Sequence, residues 1–142
     1  TAAQPTSILI VEDEKEVRDL LRDVLTDYGH CVKAASNGKE ALQLFSKHSF
    51  DMVFTDLGMP GMSGWDVARE IKNTDRNTPV IMVTGWKISH TENELKNKGV
   101  DLIINKPFQI SHILEKVQVG LTLSNAQNRH QAHSNISPVT LQ

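Results

Sequence analysis

An internal disulfide is excluded, because the 142-residue chain holds one cysteine, Cys31. That residue lies in a short apolar stretch between His30 and Ala35, which predicts a buried, inert thiol rather than a redox or nucleophilic one. No run approaches the roughly 18 to 20 apolar residues that a membrane-spanning helix requires. Thr1 to Ser7 lack the charged and apolar zones of a secretory leader, so a cytoplasmic protein without membrane insertion is expected. Positive charge is not in excess either. A formal net charge of -2 and a pI near 6.3 exclude a protein that holds nucleic acid or an anionic membrane by overall charge. Internal repeats and blocks of like charge are absent. No glycine-rich phosphate loop follows the first apolar run, which argues against a nucleotide- or flavin-binding module. Nothing after residue 122 resembles a helix-turn-helix or a basic patch, so no direct nucleic-acid binding is expected. The chain opens on Thr1 rather than methionine, which fits a piece of a longer protein.

What is present suffices for one sizeable core: 39% of the residues are hydrophobic. Five strand-sized apolar runs stand out, Ile8 to Val11, Cys31 to Ala35, Met52 to Thr55, Val80 to Thr84 and Leu102 to Ile104. None alternates strictly, which suits a sheet covered on both faces. Helical patterns lie between and after them. In Glu14 to Asp27 the residues Val17, Leu20, Leu21, Val24 and Leu25 share one helix face, and Gly29 follows as a stop. Asn37 to Lys47, Gly64 to Asn73 and Ile110 to Leu121 repeat the theme. Ser89 to Lys98 has Leu95 as its one clear anchor and is expected to be the most exposed helix. Strict strand–helix alternation predicts a doubly wound α/β domain, parallel strands joined by right-handed crossovers. Residues 1–6 read as linker-like, 7–122 as the domain, and 123–142 as a flexible tail rich in Asn, Gln, His and Ser. His130 and His133 belong to that tail rather than to a metal site.

Open α/β sheets bind ligands at the carboxyl ends of their strands. There the first strand delivers Glu12 and Asp13, the third Asp56, the fourth Thr84 and Gly85, and the fifth Lys106 and Pro107. Three crowded carboxylates repel one another unless a cation neutralises them, and an oxygen-only set with room for water suggests Mg²⁺. Asp56, at a strand end followed by a loop, is best placed to attack phosphorus as a nucleophile. Mg²⁺, the Lys106 ammonium and the Thr84 hydroxyl would then stabilise the phosphoryl charge. Taken singly, each residue has a structural reading: Glu12–Asp13 as a solvated turn or helix cap, Asp56 as a loop acid, Thr84 as a core hydroxyl, Lys106 as surface charge. Their fall at one edge of four strands makes the chemical reading the better one.

The segments Ile8-Leu-Ile-Val-Glu-Asp-Glu14, Thr55-Asp-Leu-Gly-Met-Pro-Gly-Met-Ser-Gly64, Val83-Thr-Gly85 and Asn105-Lys-Pro-Phe108 resemble the receiver domains of bacterial response regulators over about residues 6 to 122. The resemblance implies a flavodoxin-like (βα)5 fold with strand order 2-1-3-4-5. It implies Asp56 as phosphoacceptor and Mg²⁺ held by Asp13, Asp56 and the Gly58 backbone carbonyl, with Glu12 bound through water. It also implies a cis peptide before Pro107, and a switch that draws the Thr84 hydroxyl inward and reshapes the fourth helix, fifth strand and fifth helix. The implied partner is a histidine kinase or a histidine phosphotransfer protein. A docking surface for it on the first helix is expected if Val17, Leu20, Leu21, Val24 and Leu25 do not all fit against the sheet; amphipathic packing on the sheet explains the same residues. An activation-linked homodimer, and attachment to a hybrid sensor kinase, remain open. Two features depart from the pattern or are particular to this chain. Ile103 stands three residues before Lys106, where many receivers carry Tyr or Phe, which puts an aromatic switch in doubt. Gly58 offers no side chain to guide or block water, while Trp86 either shields the site or packs on the fourth helix; Trp65 is expected to pack the third helix on the sheet. The rival from another class, an aspartate-nucleophile phosphatase, needs an acid two residues after the nucleophile, where this chain has Gly58.

Overall fold

The computed structural model describes residues 5–124. Residues 1–4 and 125–142, including His130 and His133, lie outside the described residues. The elements alternate as expected: β1 (Ser7–Val11), α1 (Lys15–Asp27), β2 (Cys31–Ala35), α2 (Gly38–Lys47), β3 (Met52–Asp56), α3 (Gly64–Thr74), β4 (Val80–Thr84), α4 (Glu92–Asn97) and β5 (Leu102–Asn105). A fifth helix, α5, covers residues 110–124 and so runs past the expected end at Leu121. The five strands are parallel in the order β2-β1-β3-β4-β5.

Because side chains alternate along a strand, each central strand feeds two cores. Leu9, Val11, Val53, Val80 and Met82 meet Val67, Ala68 and Ile71 of α3 on one face. Ile8, Ile10, Met52, Phe54, Ile81 and Val83 meet Leu21 and Leu25 of α1 and Ile113 and Val117 of α5 on the other. This double cover explains the continuous apolar runs of β1, β3 and β4. It does not extend to β2, an edge strand paired with β1 alone. Exposure there alternates, and Cys31, at the start of the strand, is exposed rather than buried. An apolar pentapeptide looks alike at an edge and at the centre of a sheet, and strand order decides which it is.

Helix termini follow local chemistry. Gly29 adopts φ 91°, a left-handed conformation that ends α1 cheaply. Asn37 caps α2 by accepting from the Glu40 N–H at 2.8 Å. Thr91 and Glu94 form a capping box that starts α4 at Glu92, three residues later than Ser89. As expected, α4 has no buried residue, and Leu95 is its partly buried anchor. Trp65 is not a simple sheet contact: its ring lies 5.4 Å from that of His90 and 5.2 Å from Lys98 Nζ, joining α3 to both ends of the α4 segment.

Gly64 opens α3 where the helix crosses close to the end of β3. A Cβ there would collide with the Asp56 carbonyl oxygen and sit 2.8 Å from Leu57 Cα and 2.7 Å from Met82 Sδ. The Gly64 N–H donates to the Leu57 carbonyl at 2.9 Å, so the helix cannot shift without losing this bond. Gly64→Ala is therefore expected to destabilise the fold by about 2 kcal/mol or more, the scale of an overpacked core. Urea unfolding checks this, and an unchanged midpoint would mean that the close approach is not required.

Candidate functional site

Strand register assembles the rim. Val11 is level with Thr55, Asp56 with Val83, and Thr84 with Asn105. Glu12 and Asp56 therefore stand side by side, and Thr84 and Lys106 flank them from the next two strands. One carboxylate oxygen from each of Glu12, Asp13 and Asp56 lies within 4.8 Å of the other two, a set that could hold a metal ion. Lys106 Nζ donates to Glu12 Oε1 at 3.1 Å and to Asp56 Oδ1 at 3.3 Å. The Lys106–Pro107 peptide is cis, in agreement with the expectation.

Burial divides the acids. Glu12 and Asp56 are buried and Asp13 is exposed. Desolvation, aided by the charge of Asp56, pushes the Glu12 carboxyl up to about 7, although the Glu14 N–H and Lys106 favour its charged form. Burial likewise raises the Asp56 pKa, with Lys106 opposing and the Asp13 charge adding to the rise. Desolvation works against the Lys106 ammonium, but its bond to Glu12, the charge of Glu12 and then Asp56 hold its pKa above the ordinary lysine value. The rim is thus short of positive charge: one ammonium serves two buried acids, and an exposed third faces them.

The Thr84 hydroxyl oxygen is buried and accepts the Trp86 N–H at 3.0 Å. Among the described residues its own proton has no acceptor, so it is free to donate to a group entering the rim. Trp86 is 64% exposed. Its indole lies against Gly58, where a Cβ would be only 3.0 Å from Cζ2, so the ring covers the loop after Asp56. The sequence reading missed Arg18. From the first turn of α1 its Nη1 donates to the carbonyl oxygens of Glu12 at 2.8 Å and Asp13 at 3.3 Å. An Arg five residues after Asp13 was the available signal, and it is a faint one. A groove of about 470 Å³ between α3 and α4 lies elsewhere, and Lys72 and Arg69 there are already paired with Asp101 and Asp66.

A doubly wound parallel sheet that gathers three carboxylates, a lysine and a threonine hydroxyl at its carboxyl edge is a domain of the flavodoxin-like type with an acidic ligand edge. Residues 8–118 match the response regulator receiver domain, and the chain belongs to this family of two-component signalling modules, whose members partner with histidine kinases or phosphotransfer proteins. It is 34% identical over 118 residues to sporulation initiation phosphotransferase F of Bacillus subtilis, covering 83% of this chain and 95% of that protein. It is 34% identical over 121 residues to the probable transcriptional regulator ycf27 of Cyanidium caldarium, covering 85% of this chain but 48% of that one. The chain thus spans about half the length of some relatives and nearly all of others. Among solved structures, TrrA of Thermotoga maritima in complex with Mg²⁺–BeF superposes with a TM-score of 0.73 at 35% identity, covering 82% of this chain and 99% of that one. No helix among the described residues is long and apolar enough to cross a membrane.

Proposed function

We propose that Asp56 accepts a phosphoryl group from a phosphohistidine of a histidine kinase or phosphotransfer protein, in an Mg²⁺-dependent step. The observation that carries this reading is the rim itself: three carboxylates within 4.8 Å of one another, with Lys106 bonded to Glu12 and Asp56. Glu12, Asp13, Asp56 and the Gly58 carbonyl are the groups that would hold Mg²⁺, Glu12 through water. When bound, the ion supplies positive charge to the carboxylates and to the transferred oxygens. In the transfer, an Asp56 carboxylate oxygen forms a bond to phosphorus, the nitrogen–phosphorus bond breaks, and the imidazole leaves with its electron pair and takes a proton. Lys106 Nζ and the Thr84 hydroxyl donate to the phosphoryl oxygens, whose charge has no other fixed partner in the rim.

The aspartyl phosphate would then draw on Thr84 and Lys106, at the ends of β4 and β5, and pass the change to the α4, β5 and α5 face. Ile103, level with Met82 in the sheet, gives that face no aromatic rotamer to flip, so backbone and Thr84 carry the movement. Docking of the donor on α1 is supported by Leu20, which is 48% exposed while Leu21 and Leu25 are buried. The TrrA complex with Mg²⁺–BeF supports the choice of ion.

Intact-protein mass after incubation with acetyl phosphate and Mg²⁺ tests the reading. One added phosphoryl mass, lost with EDTA, is expected. No addition under conditions that label a known receiver would leave a binding module that does not use phosphorylation.

Affinity for Mg²⁺ is also expected to depend on pH, because Glu12 must ionise for the set to carry its full charge. With its pKa at about 7, affinity should rise roughly tenfold per pH unit up to that value and then level off. Calorimetric titration from pH 5.5 to 8.5 reads the slope, and a flat profile would place Glu12 outside the site. The sign for the metal-free fold is opposite to that of an ordinary paired carboxylate. A raised folded-state pKa contributes stability that is full below the unfolded value of 4.5 and lost as pH climbs through about 7.

A further inference from the structure

We infer that Arg18 is the positioning residue of the carboxylate rim and sets its affinity for a divalent cation. The inference rests on the metal reading proposed above and extends it to a residue that touches none of the ligand atoms. Two of the three carboxylates, those of Glu12 and Asp13, sit on the turn between β1 and α1. Glu12 is held by three bonds of its own: its N–H donates to the Ala35 carbonyl at 3.0 Å, its Oε2 accepts the Glu14 N–H at 3.2 Å, and its Oε1 accepts from Lys106. Asp13 has no such support. Among the described residues its carboxylate makes no hydrogen bond, so its aim is set by the backbone that carries it.

That backbone is clamped from one side chain. Arg18 Nη1 donates to the Glu12 carbonyl at 2.8 Å and to the Asp13 carbonyl at 3.3 Å. Arg18 itself is fixed by the first turn of α1, where its N–H donates to the Glu14 carbonyl at 2.9 Å. The bonds of Glu12 fasten the start of the turn, while Glu14 at the start of α1 supplies no side-chain cap beyond Asp13. A ligand held in place before the ion arrives loses less freedom on binding, and groups that orient ligands in this way typically alter metal affinity 10- to 100-fold. The guanidinium also brings a positive charge toward an acidic site, which by itself weakens cation binding. The two effects have opposite signs, so one substitution tells them apart.

The experiment is a calorimetric Mg²⁺ titration of the full chain at pH 8 as wild type, Arg18→Met and Arg18→Lys, with thermal unfolding to confirm that each is folded. Arg18→Met is expected to bind Mg²⁺ at least tenfold more weakly, and Arg18→Lys, which can still donate to one carbonyl, to recover part of the loss. Should Arg18→Met fail to fold, Arg18→Gln, with one amide donor, takes its place. Unchanged or tighter binding by Arg18→Met beside a wild type that binds Mg²⁺ would overturn the inference and leave the metal reading intact. A wild type that does not bind Mg²⁺ would overturn both.

Discussion

Exchanging Asp56 for asparagine is expected to abolish phosphoryl incorporation and, at the same time, to raise the unfolding midpoint of the metal-free protein at neutral pH. An amide oxygen is a poor nucleophile toward phosphorus, so the loss should be complete rather than partial. The stability effect follows from electrostatics. Burial, then the charge of Asp13, hold the Asp56 pKa above its ordinary value despite Lys106. A raised folded-state pKa means that the ionised carboxylate sits less comfortably in the fold than in the unfolded chain. Asparagine keeps the shape and removes the charge, and it also lets Glu12 ionise more readily. Mass spectrometry and thermal unfolding in EDTA check the two halves independently. Residual labelling would point to Asp13 or another acceptor, and a lower midpoint would show that the Lys106 bond outweighs the crowding.

Lys106→Met is the second large effect, and it separates transfer from metal binding. Removing a donor aimed at the developing phosphoryl charge costs on the order of 10²- to 10³-fold in rate. Mg²⁺ should nevertheless bind more tightly, because the ammonium that now shares Glu12 and Asp56 would no longer compete. Loss of the partner also leaves Glu12 uncompensated at 1% exposure. At pH 8 that is expected to destabilise the metal-free fold by up to about 3 kcal/mol, the cost of breaking a buried pair. At pH 6 the penalty should shrink, since Glu12 escapes it by keeping a proton. Labelling rates, Mg²⁺ titrations and unfolding at both pH values test this. Normal labelling by the variant would remove Lys106 from the transfer step.

Much of this was legible in the amino-acid order. Strand-sized apolar runs and the three-and-four spacing of helix faces locate the elements, and alternation of strand and helix dictates parallel strands with a ligand edge at their carboxyl ends. Glu12 and Asp56 follow directly on an apolar run, Thr84 closes one, and Asp13 and Lys106 lie two residues beyond one, so topology carries them to one rim. These are local facts and facts of connectivity, which sequence records. Tertiary structure decided the rest, because it depends on which strand is an edge and on which atoms approach across long separations. Cys31 is exposed because β2 has one neighbour, and Trp65 reaches His90 and Lys98 because α3 and α4 lie side by side. Trp86 covers Gly58, Arg18 turns back onto two carbonyls, and Glu12 rather than Asp13 is desolvated. Burial and hydrogen-bond direction are properties of packed neighbours, and the same residue letters are compatible with either outcome until the chain has folded.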